Sequence, residues 1–428
     1  MEKNPRPPSP SFGAADYVKI SLMSLAITAL WQSLHSIILP IRILDFVGES
    51  QKNTYLGILT FWGLILAMLA QPIAGALSDR SGWALGRRRP YIAGGVLALV
   101  FFLFIFGAAP GYGLLFAGYA LMQVSSNVIQ GPYQAFIPEL VPAARRGLAS
   151  GVKNLAEILG GAILVLITPL LINHYTAGEG TYWLWLALAI PGGLLLAAGL
   201  GTVLWVREPR VKPVRQAKPL WATILSTFRL DLSRDRAFVW FLISRLLVFM
   251  SLATIQQFAL YFFQDVVGVE NPASASANFI VVAVVGMMIA AYPAGRLCDR
   301  LGRKPIASGA ALLGAGAVLM IILLPKEYNL LLVPALLLGI ALGAFSTTNW
   351  AMATDLVPAG EEARYLGIAN MATAGGAALA RLIGPVIDFF NARAFNLGYQ
   401  VMLICCLVYF VAGGLLVLKV KTGVRQKC

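Results

Sequence analysis

Charge is scarce in this chain. Of its 428 residues, 12% are Asp, Glu, Lys or Arg, while 58% are hydrophobic. Soluble domains carry about a quarter of their residues as charges, so a soluble globular fold is excluded. Acids are scarcer still, 19 against 33 basic residues. The four cysteines, Cys298, Cys405, Cys406 and Cys428, show neither a metal spacing nor a disulfide framework. No Gly-x-x-x-x-Gly-Lys-Ser loop is present to cradle phosphates. With no zinc ligand cluster and no nucleophile paired to a base, neither an enzyme nor a resident cofactor or metal is expected. The first residues, Met1-Glu2-Lys3-Asn4-Pro5, lack the basic-then-apolar pattern of a cleaved signal, so the first apolar run is expected to stay in place.

What the chain has is length of apolar run. About twelve runs approach the roughly 20 residues that cross a hydrocarbon core as helix. They fall near 17–40, 54–78, 90–109, 112–137, 147–173 and 182–206, then near 237–263, 276–298, 305–325, 329–354, 364–390 and 396–420. Backbone groups find no water in lipid, so each run must be a helix. The alternation of a lipid-facing β-barrel is missing. An all-α membrane protein is expected, with about twelve transmembrane helices in two six-helix repeats around a central cavity.

The net charge of +14 is distributed by loop. Basic residues concentrate at Arg80 to Arg89, Arg145 and Arg146, Arg207 to Arg236, Arg296 to Lys304 and Lys419 to Lys427. The alternate loops hold mainly Arg42, Lys52, Lys326 and Arg393. Positive loops stay cytoplasmic, which places both termini inside a multi-pass cell membrane and removes the case for a nucleic-acid partner. The compact loops fit a bacterial inner membrane.

Two loops repeat. Gly75-Ala-Leu-Ser-Asp79-Arg80 precedes Gly86-Arg87-Arg88-Arg89-Pro90, and Gly295-Arg-Leu-Cys-Asp299-Arg300 precedes Gly302-Arg303-Lys304-Pro305. Leu140-Val-Pro142 with Gly151-Val-Lys-Asn154 returns as Leu356-Val-Pro358 with Gly367-Ile-Ala-Asn370, an offset of 356 − 140 = 216. Each copy follows an acid, Glu139 or Asp355. Between the copies, residues 207–236 carry eight basic and three acidic residues. The expected division is 1–206 as one bundle, 207–236 as a basic cytoplasmic linker and 237–428 as the second bundle.

These motifs resemble the major facilitator superfamily along the whole chain. The Gly-x-x-x-Asp-Arg-x-Gly-Arg-Lys loop at 295–304 fits its signature between the second and third spans of each half. The first copy inserts Ser-Gly-Trp-Ala-Leu before Gly86. That longer form, with Asn127-x-x-Gln130-Gly131-Pro132-x-x-Ala135, is similar to the sucrose-transporter and glycoside-pentoside-hexuronide type of branch. The sucrose transporters commonly carry a basic residue before that alanine, where this chain has Gln134.

A carboxylate at Asp79 or Asp299 can accept from a helix N-terminus or pair with a basic residue of a neighbouring helix, latching the halves in one conformation. Gly75, Arg80, Arg88, Glu139, Arg146, Gly295, Arg300 and Arg303 are the candidate gating partners, with Arg207 and Glu208 nearby. Orientation in the membrane alone is the plainer reading of the arginines.

Gln123, Asn127, Gln130 and Gln134 are spaced for one helical face, as are Thr28, Gln32, His35 and Ser36. Amides suit a polyol such as a sugar, and they also glue helices together. Gln256, Gln257, Asn349 and Trp350 extend the candidate binding set. His35 and Glu157 are the candidate proton carriers; Glu157 also stands one turn from Lys153, with which it can pair. Arg245 and Arg381, inside two spans, can neutralise Glu157 or hold an anion, and Asp388 is an alternative partner for Arg381.

The expected function is secondary transport of a small polar solute, foremost a sugar or glycoside with protons, by alternating access in a monomer. An exporter of amphipathic compounds is the alternative. A non-transporting sensor or assembly factor of the same fold is a third reading, against which both loop motifs stand intact.

Overall fold

The computed structural model describes residues 13–83, 86–142, 145–206, 208, 236–356 and 362–420. Among the described residues there are twelve long helices and no strand. They are α1 (Ala14–Leu44), α2 (Lys52–Arg80), α3 (Arg89–Ala108), α4 (Tyr112–Tyr133), α5 (Arg146–Thr176) and α6 (Tyr182–Trp205). The second set is α7 (Arg236–Val267), α8 (Pro272–Leu301), α9 (Arg303–Leu323), α10 (Tyr328–Leu356), α11 (Tyr365–Asn391) and α12 (Leu397–Leu418). Each matches one expected span. Eleven are long and apolar enough to cross a membrane. The remaining helix, α4, is diluted by Gln123, Ser125, Ser126, Asn127 and Gln130. The expected linker lies outside the described residues except for Glu208 and Arg236.

The outer faces are apolar. On α3, Leu97, Phe101 and Phe104 share one exposed stripe, as a surface meeting lipid tails requires.

Helix pairing repeats between the two sets. The pairs α1–α5, α1–α6, α2–α4, α3–α4 and α3–α6 recur as α7–α11, α7–α12, α8–α10, α9–α10 and α9–α12. Small residues let the equivalent backbones touch. A Cβ on Gly160 would stand 2.4 Å from the Leu25 carbonyl oxygen, and one on Gly376 would stand 2.6 Å from that of Leu246. Those glycines differ by 376 − 160 = 216, the offset of the sequence motifs. Without a hydrophobic drive between helices in lipid, this close van der Waals contact is a main source of association.

The two sets meet through α5–α8 and α2–α11. A Cβ on Gly57 would lie 2.3 Å from the Arg381 carbonyl oxygen, and one on Gly384 would lie 2.2 Å from that of Asn53. α2 and α11 therefore cross with their backbones in contact.

Candidate functional site

A cavity of about 320 Å³ lies between the two sets. α1 supplies Thr28, Trp31, Gln32, His35 and Ser36; α4 supplies Gln130, α7 Gln256 and Gln257, and α11 Arg381. The face expected on α1 is therefore intact and lines the cavity. Its lower part is a widened turn, Leu34–Ile38, with i→i+5 geometry. Such turns often mark functional positions, and this one carries His35 and Ser36. Gln32 Nε2 donates to Ser36 Oγ at 3.2 Å. His35 Nε2 is hydrogen-bonded to the Tyr119 hydroxyl at 2.8 Å, and Trp31 Nε1 donates to Ser126 Oγ at 2.8 Å. The Trp31 and His35 rings lie 4.9 Å apart.

The expected amide stripe on α4 divides. Gln130 reaches the cavity and donates to Ser126 Oγ at 3.2 Å. Gln123 is buried, with Nε2 donating to Tyr119 at 2.8 Å. Asn127 turns back on its own helix and donates to the Gln123 carbonyl at 2.8 Å. Gln134 is exposed, one residue past the end of α4, so it does not share the cavity face. Spacings of 4, 3 and 4 placed four amides on one side, but hydrogen bonds within α4 and the end of the helix decide which one meets the cavity.

Neither arginine of the second set pairs with Glu157, and Arg381 does not pair with Asp388. Arg245 is 2% exposed; its Nε donates to Thr373 Oγ1 at 2.7 Å and its Nη1 to Asn349 Oδ1. Its guanidinium lies 4.9 Å from the Trp350 ring and 5.3 Å from that of Phe249. Asn349 is thus buried behind Arg245 and Trp350 stacks on it, so these three form a separate cluster from the central cavity. Arg381 is 8% exposed; its Nη1 donates to the Ala377 carbonyl, while its Nε has no partner. Gln257 Nε2, also in the cavity wall, has none either.

Glu157 pairs with Lys153 at 2.8 Å, the local arrangement that the spacing of four allowed. It lies beside a second chamber of about 290 Å³ between α5, α7, α8 and α10, lined by Ile158, Leu252, Ile280, Val284 and Leu338 among others. Thr28, Gln32 and Gln256 line both cavities, so the two adjoin.

One end of the central cavity is sealed by residues that sequence reasoning did not assign. Lys52 is 1% exposed and bridges Asp265 at 2.7 Å and Glu49 at 2.5 Å, with Tyr261 beneath it at 4.8 Å. The Tyr399 hydroxyl donates to Asp265 Oδ2 at 2.6 Å. Asp388 accepts from Asn53 Nδ2 at 2.8 Å and from the Thr54 backbone N–H at 2.6 Å. It therefore caps the N-terminus of α2 from the opposite set, where a carboxylate is favoured by the unpaired N–H groups and the helix dipole. The signal was available: Asp265 and Asp388 are acids among aromatic and aliphatic neighbours, costly to bury without such partners.

At the other end Arg87, Arg88 and Arg303 pair with acids of their own set. Arg88 pairs with Asp79 at 2.9 Å and Glu139 at 2.5 Å, and Arg87 also pairs with Glu139. Glu208 accepts from the backbone N–H groups of Arg87, Arg88 and Arg89 at 2.9–3.0 Å, holding the start of α3. Gly86, at φ +110, fits there because a Cβ would stand 2.9 Å from Glu208 Oε2. Arg146 donates to the Val141 and Pro138 carbonyls instead of joining an acid. Arg80 and Arg300 are exposed, and Arg303 pairs with Asp355. Arg207 and the Asp299 side chain lie outside the described residues. Gly75 and Gly295 both have room for a Cβ, whose nearest neighbour would be 3.8 Å away in each case.

The family model described as Major Facilitator Superfamily matches residues 20–380 and 271–427. Minor myo-inositol transporter IolF of Bacillus subtilis (strain 168) is 25% identical over 136 residues, 32% of this chain and 30% of that protein. Multidrug resistance protein MdtG of Serratia proteamaculans (strain 568) is 24% identical over 277 residues, 63% of each. The chain thus matches less than two thirds of the length of either relative. The solved structure of a D-xylose-proton symporter superposes with a TM-score of 0.70 at 17% identity, covering 96% of this chain and 98% of that one. At that identity the likeness is one of fold.

Proposed function

The chain belongs to the Major Facilitator Superfamily, and on that premise we propose that it is a secondary transporter, passing a small solute through the central cavity by alternating access. One observation supports the reading above the others. A polar cavity lies between two equivalent helix sets, and Lys52, Asn53, Thr54, Asp265 and Asp388 bind the sets together at one end. Rocking about the α2–α11 and α5–α8 contacts exchanges which end is sealed. On the basic-loop distribution, the sealed end faces outward and the Arg88 end faces the cytoplasm, in a multi-pass cell membrane with both termini inside. The Asp79–Arg88–Glu139 and Arg303–Asp355 clusters are the gating elements of the cytoplasmic end.

The finer reading is a sugar or glycoside moved with protons by a monomer. Gln32, His35, Gln130, Gln256 and Gln257 offer a polyol donors and acceptors, while Trp31 offers a ring face. Glu157 carries the proton, which neutralises its carboxylate and releases Lys153 from the ion pair, with His35 as the second candidate. Proteoliposomes holding a pH dye test this with a panel of mono- and disaccharides. Sugar-dependent acidification of the lumen, lost in Glu157→Gln, is expected; acidification that survives the variant removes Glu157 from coupling, and none with any sugar refutes sugar–proton symport.

The apolar chamber beside Glu157 favours a second reading, movement of an amphipathic compound whose apolar part lies between α5 and α8. Competition by amphipathic glycosides but not by plain sugars distinguishes it.

A further inference from the structure

We propose that the central cavity binds its solute through a negatively charged group, a carboxylate held by Arg381 and Gln257. The inference rests on the transport reading above and adds the charge of the solute to it.

The cavity has a cation and no acid. Arg381 projects into it from the end of the first segment of α11, and the residues lining it include no Asp or Glu. Both acids that the sequence offered as partners, Asp388 and Glu157, are committed elsewhere, Asp388 to Asn53 and Thr54 and Glu157 to Lys153. Asp265, at the sealed end, is held by Lys52 and Tyr399. The position of Arg381 at a helix C-terminus, where carbonyl oxygens point at it, supplies partial compensation only. Its Nη1 takes one of those oxygens, at Ala377, and its Nε–H remains without an acceptor.

A buried guanidinium needs more than that. A charge taken out of water costs several kcal/mol unless it is paired, and buried donors almost always find an acceptor. Gln257 Nε2 adds a second unpaired donor in the same wall, and Gln257 is 4% exposed. Two unsatisfied donors, one of them charged, call for an acceptor that is itself charged. A neutral hydroxyl satisfies the hydrogen bonds and leaves the charge. A carboxylate satisfies both, and the planar fork of arginine matches it in two-point contact. Gln130, Gln256 and His35 are left to read the rest of the molecule.

The purified full-length protein, titrated with isosteric pairs, tests the assignment. Gluconate is compared with sorbitol and phenylacetate with phenylacetamide, following intrinsic fluorescence, with Trp31→Phe identifying the share of the signal that Trp31 in the cavity wall contributes among the nine tryptophans. The expected result is saturable binding of at least one carboxylate, about tenfold or more tighter than its neutral partner. Arg381→Gln is expected to erase that difference, and Arg381→Lys to retain part of it.

Ala377→Glu provides a test that keeps the arginine. It places an acid one turn before Arg381, on the cavity wall, and so supplies the missing counter-ion. We expect it to raise the melting temperature of the ligand-free protein and to abolish carboxylate binding. Neutral members binding as tightly as their carboxylates, or none of the carboxylates binding, would overturn the inference. Uptake of a neutral sugar into proteoliposomes under those outcomes leaves the transport reading standing. A fall in melting temperature in Ala377→Glu, with carboxylate binding intact, also refutes it.

Discussion

Replacing Asp388 with Asn should unseal the closed end of the cavity. The carboxylate accepts two short hydrogen bonds across the interface, from Asn53 Nδ2 at 2.8 Å and from the Thr54 N–H at 2.6 Å, and is 8% exposed. Hydrogen bonds to charged groups contribute about 1.5–3 kcal/mol each, so the pair holds the end shut by about 3–6 kcal/mol. The single carbonyl oxygen of Asn can keep one of them as a neutral bond of about 1 kcal/mol, a loss of about 2–5 kcal/mol. Removal of the charge from the N-terminus of α2 adds about 0.3–1 kcal/mol. At 1.4 kcal/mol per decade, even the low end of the total, about 2.3 kcal/mol, shifts the sealed-to-open ratio by roughly 40-fold. The assay is pulsed electron–electron resonance between nitroxides at Gly48→Cys and Ala394→Cys, both exposed at this end, in a background free of native cysteine. The parent should give one short distance, and the variant should add a longer population. Unchanged distances in both Asp388→Asn and Asp388→Ala would refute the idea that this carboxylate seals the end.

Gly160→Ala forces a methyl to within 2.4 Å of the Leu25 carbonyl oxygen and should destabilise by about 1–3 kcal/mol through overpacking. Gly151→Ala on the same helix meets open space and should raise the melting temperature, so equal shifts for the two would defeat the packing account. Arg88→Gln removes a buried cation from Glu139 and Asp79, which are themselves partly exposed, and Glu139 keeps Arg87, so it should cost about 1–2 kcal/mol, visible as a lower melting temperature. Gly75→Ala should leave the melting temperature unchanged or raise it, by about 0.5–1 kcal/mol of helix propensity, because its Cβ has room in this conformation. Reduced solute uptake in that same variant would locate the need for glycine in the opposite conformation.

The helices were legible because lipid leaves the backbone no alternative, and each of the twelve runs has its helix. The α1 face of Thr28, Gln32, His35 and Ser36 was legible for a related reason: a 3.6-residue period fixes which side chains share a side. The same rule failed for the amides of α4. Gln134 falls past the helix end, while Gln123 and Asn127 find partners on Tyr119 and on their own backbone. Periodicity gives a common side but not what that side faces. The ion pair of Glu157 with Lys153 could be read from its spacing of four. The bridge from Lys52 to Asp265 and the hydrogen bond from Asn53 to Asp388 could not, since those partners lie 213 and 335 residues apart.

The sequence by itself therefore determined the class of fold, the duplication, the placement of the basic loops and the acids that pair within one half. Those properties depend on composition and on neighbours along the chain. The tertiary structure alone decided where the two halves touch, which end of the cavity is sealed, and that Arg381 is left without a carboxylate while Asp388, seven residues on, caps a helix of the other half. The rotation of each helix about its axis sets those outcomes. Close crossings such as Gly57 on Arg381 and Gly384 on Asn53 fix that rotation, and it is not written in the period of any single helix.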